Sequence, residues 1–225
     1  MTIEFTRVIT KHPSGGGEAT DLSPHQGIIR RVAVISEYHA KYQSKSDDEI
    51  VKRARERFNE LTRAFSAAPL DTASDPVEVA VMGCGDKRFV AHHKDMFARI
   101  LARNVRVTTF DIEVDHLAGE ENVIQHDCSQ LLPGGLYDVT FGHVVLPFLA
   151  PDKQLDMIAA GYNALKQGGI QIQALDPMNY DDTSTPLPGL HRVDLGSVKR
   201  KANQLGARVI DVGLDIGVAI VIVHP

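Results

Sequence analysis

From residue 77 onward, short apolar runs alternate with amphipathic stretches, and this alternation limits the fold more than any other feature of the chain. The runs VEVAVM (77–82), VRVTTFDI (105–112), NVIQHD (122–127), YDVTFGHVVL (137–146) and GIQIQALD (169–176) have the length and composition of strands. Several are apolar at successive positions, as expected where helices cover both faces of a parallel sheet. A helix after the first run uses Val90, Met96, Phe97, Ile100 and Leu101 as core contacts. A second starts at Pro151, buries Leu155, Ile158, Tyr162 and Leu165, and stops at Gly168-Gly169. A last helix spans roughly 195–205, before ARVIDVGLD (207–215) and GVAIVIVH (217–224). Too few residues separate those two strands for a crossover, so they pair antiparallel. The expected fold is α/β: a doubly wound, seven-stranded, mostly parallel sheet with an antiparallel C-terminal strand and added N-terminal helices.

A chain of 225 residues has room for one such domain. We divide it into a poorly ordered segment (1–27), a helical extension (28–68) and the α/β domain (69–225). The first piece concentrates Pro, Gly and Ser, which are costly to order and bury little. In the second, Ser46 followed by Asp47, Asp48 and Glu49 forms a capping-box start. Ile50, Ala54, Phe58, Leu61 and Phe65 then make one apolar face, opposite a solvated face of Lys52, Arg53, Glu56 and Arg63. Residues 69–76 read as a linker and 177–189 as a long turn-rich loop.

The formal net charge is -5, which argues against a nucleic-acid partner. Cys84 and Cys128 are too few for a disulfide framework or a four-cysteine zinc site. The N-terminus lacks a signal-peptide pattern, and no apolar run approaches the roughly 18 residues that cross a bilayer. A cytoplasmic protein is the expectation.

The chemistry collects at strand ends. Gly83 and Gly85 follow the first strand, Asp111 ends the second and Asp127 ends the third. In an open parallel sheet these C-terminal ends border one crevice, where ligands bind. Glycines let the backbone approach a ligand, and a carboxylate after strand two can accept bonds from ribose hydroxyls. Together they describe a nucleoside cleft. A dinucleotide fingerprint needs a third glycine where Arg88 stands, and no phosphate-binding P-loop pattern occurs.

VAVMGCGDKRF, VTTFDIE, NVIQHDCSQLLPGGLYDVTFGHVVLPFL and ALKQGGIQIQALD resemble, in order and spacing, the motifs of class I S-adenosylmethionine-dependent methyltransferases. The resemblance spans roughly residues 77–176 and implies S-adenosylmethionine as cofactor and a small-molecule methyl acceptor as partner. It implies that Gly83, Cys84 and Gly85 lie beneath the methionine portion and that Asp111 binds the ribose. Ile112 then packs on the adenine, Asp127 accepts the adenine amino group beside the Cys128 backbone, and Gly142 and His143 line the floor near the methyl donor. Two positions depart from the pattern. Val81 replaces an acid, and Lys87 replaces a third glycine, either filling the methionine site or pairing with the cofactor carboxylate.

Each residue also has a plainer reading. The glycines serve as turn residues, and Asp111 and Asp127 as caps. His143, the one catalytic candidate, is a base or a satisfied structural histidine. Adjacent histidines His92 and His93 cannot both face one metal, so they read as surface residues or as helix residues bordering the cleft, and no metal is expected. Asp181-Asp182 reads as a solvated turn. An inactive binding or scaffold protein of the same fold is the alternative to an enzyme, favoured by Val81 and Lys87; a decarboxylated cofactor is a third reading.

Overall fold

The computed structural model describes residues 37–181 and 187–225. The segment 1–27, the first part of the helical extension (28–36) and Asp182 lie outside the described residues. Residues 37–43 are helical (α1). There follow α2 (Asp47–Ala67), β1 (Val77–Met82), α3 (Arg88–Leu101), β2 (Val105–Asp111), β3 (Val123–Gln125), β4 (Tyr137–His143) and α4 (Pro151–Asn163). The chain closes with β5 (Leu165–Leu175), α5 (Leu195–Gln204), β6 (Arg208–Gly213) and β7 (Val218–Val223). The seven strands form one sheet in the order β3-β2-β1-β4-β5-β7-β6. β1 to β5 pair in parallel, and β7 runs antiparallel between β5 and β6. This is the expected doubly wound sheet.

β1 shows why its sequence has no polar alternation. Val77, Val79 and Val81 pack towards α2 and α3, whereas Ala80 and Met82 pack on the side that includes Met157, Ile158 and Tyr162 of α4. Side chains alternate between faces, and both faces are covered. Leu61, Ala64 and Phe65 of α2 share the first of these cores with the strands.

α2 begins as its sequence dictates. The Ser46 hydroxyl accepts from the Glu49 N–H at 3.3 Å, and the Glu49 carboxylate accepts from the Ser46 N–H at 3.0 Å. Its buried stripe is Ile50, Ala54, Arg57, Leu61, Ala64 and Phe65. Phe58, expected on that stripe, is only half-buried, and an arginine holds the adjacent buried position.

Two expectations about connections are corrected. Gly168 and Gly169 do not end α4, which stops at Asn163; both lie within β5. Gly168 has φ +75°, and a Cβ there would stand 2.0 Å from the Asp71 carbonyl oxygen. It is glycine because segment 69–76 passes directly over it. That segment is a packed strap rather than a free linker. The Asp71 N–H donates to the Gly168 carbonyl at 3.2 Å, and the fully buried Asp138 of β4 accepts from the Ser74 hydroxyl, the Glu78 N–H and Lys166. Burial pushes the Asp138 carboxyl up, but these donors outweigh it and hold the group below its usual range.

Candidate functional site

The C-terminal ends of β1, β2 and β4 face α1 and α2 across a cavity of about 80 Å³. Nucleoside-sized sites measure roughly 300 Å³ or more. Tyr38 and His39 of α1 are among the side chains that narrow the cavity. The Tyr38 ring lies over Gly85, where a Cβ would stand 2.9 Å from Cε1, and it meets Phe148 edge-on at 4.7 Å.

Gly83 and Gly85 both line the cavity. Gly83 has φ +84°, and a Cβ there would meet Val145 Cγ2 at 2.6 Å, so no other residue fits. Val145 is brought there by Val144, which has φ 55°. A β-branched residue in this region costs on the order of 1–3 kcal/mol. The distortion lies directly beside His143, where it turns the chain back over the glycine loop. Cys84 is buried, and its thiol is pushed up to about 12 by desolvation, so it is no nucleophile at neutral pH.

Asp111 ends β2 almost fully buried. It accepts from the Cys84 N–H at 2.7 Å and from the Glu113 N–H at 3.1 Å. Desolvation raises its pKa, against the pull of those two N–H groups and of His116. Each carboxylate oxygen still has a further acceptor position towards the cavity. Asp127 accepts from the Ser129 N–H and hydroxyl at 3.0 and 2.8 Å, a local turn that also fixes its direction. Ile112 and Cys128 complete this end; burial raises the Cys128 thiol as well.

The opposite end is built from helices. Arg57 of α2 reaches the cavity with its guanidinium 3.7 Å from the centre of the Phe89 ring, and its Nε has no hydrogen-bond partner. His93 of α3 is 1% exposed and lines the same space, and neither ring nitrogen has a partner. Of the two readings of His93, surface or cleft, the structure has it at the cleft. It lies one turn from Phe89 and from Phe97, on the apolar stripe of its helix. His143 Nε2 stands 3.3 Å from Glu60 Oε2, within ion-pair distance but off the angle of a hydrogen bond, and its Nδ1 is unpartnered. Burial and the Arg57 charge lower the pKa values of both histidines, which stay neutral at neutral pH; Glu60 partly offsets this for His143.

Two expected site residues lie elsewhere. Lys87 is exposed at the N-terminus of α3 and borders a separate surface recess with Asp86, Arg88 and Asp115. It neither fills the cavity nor reaches it. Gly142 is buried one position short of the floor, where a Cβ would strike Gln173 Oε1 at 2.4 Å. Its smallness serves the packing of β4 on β5. Tyr38, His39, Arg57 and Glu60 stand at the site without having been expected there from sequence. For Arg57 and His93 a signal existed, namely a polar residue in register with an apolar stripe.

Among the described residues no helix is long and apolar enough to cross a membrane. No family model matches the chain, and no curated protein sequence matches it. Solved structures do. The complex "DhpI-SAM-HEP" aligns with TM-score 0.59 and 16% identity over 91% of this chain and 100% of that one. Magnesium protoporphyrin IX methyltransferase (ChlM) from Synechocystis PCC 6803 with bound SAM aligns with TM-score 0.58 and 12% identity, over 92% and 100%. An O-methyltransferase family protein from Burkholderia thailandensis aligns with TM-score 0.57 and 13% identity; 79% of this chain matches 57% of that one. With the strand order and the reversed β7, these likenesses establish that the chain has the class I methyltransferase fold.

Proposed function

We propose that the chain is an S-adenosylmethionine-dependent methyltransferase acting on a small-molecule acceptor. The observation that carries this reading is Asp111, a buried carboxylate at the end of β2, oriented by two backbone N–H groups and still able to accept from a ribose. The similar structures that hold SAM or its product SAH support the choice of cofactor.

The donor set fits that cofactor. Asp111 accepts from the ribose hydroxyls, Ile112 packs on the adenine, and Asp127 with the Cys128 backbone meets the adenine edge. Gly83, Cys84 and Gly85 run beneath the methionine portion. Arg57, which lines the cavity with its Nε unpartnered, takes the cofactor carboxylate in place of Lys87, which borders a separate recess. When bound, S-adenosylmethionine supplies an activated sulfonium methyl, so alignment with the acceptor provides much of the acceleration. Neutral His143, next to Glu60, accepts a proton from acceptors that must lose one. Tyr38 must move off Gly85 to admit the nucleoside, and on closing again it excludes water.

Calorimetric titration with S-adenosylhomocysteine tests this proposal. A Kd in the micromolar range, about -8 kcal/mol, is expected. The second reading, a non-catalytic scaffold of the same fold, is favoured by Val81 and by the closed position of Tyr38. A folded, monodisperse sample with no detectable binding would establish it instead.

A further inference from the structure

We propose that His39, Asp111 and His116 form a binding site for a divalent transition-metal ion of the Zn²⁺ type, whose occupancy competes with the nucleoside. One potential ligand atom from each residue lies within 4.8 Å of the other two, and His39 and Asp111 are buried. The two imidazoles stack with centroids 3.6 Å apart and planes 22° from parallel. Each has one ring nitrogen turned towards a neighbouring oxygen, within hydrogen-bond distance for His116 alone. His116 Nε2 is 2.6 Å from the Cys84 carbonyl oxygen, which makes it the N–H donor and leaves Nδ1 a buried lone pair with no partner. His39 Nδ1 is 3.7 Å from Glu113 Oε2, leaving its Nε2 as the other donor atom. The backbone carbonyl behind His116 is the kind of outer partner that orients an imidazole for a metal. Asp111 adds an anionic oxygen, since Oδ2 and Oδ1 each accept one backbone N–H, from Cys84 and Glu113, and each keeps a further lone pair. A surface recess bordered by His39, Glu113, Asp115 and His116 offers the entry path.

Bonds of about 2.0–2.2 Å in a tetrahedron put ligand atoms about 3.4 Å apart, so binding draws these side chains together by on the order of 1 Å. His39 then tilts out of the stack, and water fills the fourth position. The competition rests on the proposed role of Asp111 in ribose binding, in which the two ribose hydroxyls take the remaining acceptor position of both oxygens; the metal site itself does not.

The test is calorimetry of ZnCl₂ into chelator-treated full-length chain, with and without saturating S-adenosylhomocysteine. One Zn²⁺ per chain is expected. His39→Ala and His116→Ala should each weaken binding by more than the 10–100-fold that removal of an outer partner costs. His92→Ala, outside the cluster, should leave it unchanged, and circular dichroism checks that each variant is folded. No Zn²⁺ uptake by the folded wild type, or equal uptake by the His39 and His116 variants, would overturn the site. Titration of the nucleoside into metal-free protein separates the two proposals. Zn²⁺ uptake with no nucleoside binding supports the metal site and contradicts the cofactor reading. If both ligands bind independently, the competition is overturned.

Discussion

The two ends of the cavity are built on opposite principles. At the Asp111–Asp127 end, each carboxylate already accepts from groups of its own loop, so the acceptors are held in place before a ligand arrives. At the Arg57–His143 end, a guanidinium and two imidazoles are brought together with polar atoms left unpaired. Such atoms cost about 1–3 kcal/mol each when buried. The first end resembles a finished socket. The second is complete only when a ligand supplies the missing partner, and it is there that an anionic group gains most from binding.

The largest effect should come from Asp111. Asp111→Ala removes the proposed acceptor for ribose and strands two backbone donors, so affinity for S-adenosylhomocysteine should fall by at least about 100-fold, from two charge-assisted hydrogen bonds of about 1.5–3 kcal/mol each. Calorimetry on protein checked by circular dichroism reads this; unchanged affinity would remove the residue from the site. Arg57→Met should weaken S-adenosylhomocysteine by roughly 10–100-fold through one such interaction. The same variant should bind 5′-methylthioadenosine, which lacks the amino-acid end, as well as the wild type does. Equal losses for both ligands would break the division between the two ends.

A third effect is on stability. His93 has its folded pKa lowered by burial, then by Arg57 and His143. In the unfolded chain the imidazole titrates near 6.5, so below that pH the unfolded state binds the extra proton and native stability falls as pH falls. His93→Phe, flanked by Phe89 and Phe141, should flatten this acid limb between pH 7 and 5 in thermal melts. A limb as steep as that of the wild type would show that other groups control it. The smallest effect belongs to Lys87. Lys87→Ala should change nucleoside affinity by less than about twofold, since the side chain lies outside the cavity; a larger loss would restore the charge pairing expected from sequence.

The same contrast explains what could be read without coordinates. The sheet is legible because its strands are apolar on both faces, and the short link between β6 and β7 dictates their reversal. The Asp111 end is legible because its residues sit at strand ends, where chain order alone fixes proximity. The other end depends on the rotation of α2 and α3. Arg57 reaches the cavity because it falls on the line of Ile50, Ala54 and Leu61, and His93 because it falls between Phe89 and Phe97. A polar residue within a stripe was the available clue. Gly168 was misread as a helix stop because a close approach by segment 69–76 leaves no local trace in sequence.

The most direct measurement is a crystal structure of the chain grown with S-adenosylhomocysteine. The account predicts ribose hydroxyls on Asp111, the amino-acid carboxylate within hydrogen-bonding distance of Arg57, and Tyr38 displaced from Gly85. A nucleoside bound with its ribose away from Asp111, or a closed α1 over an empty cleft at saturating ligand, would contradict it.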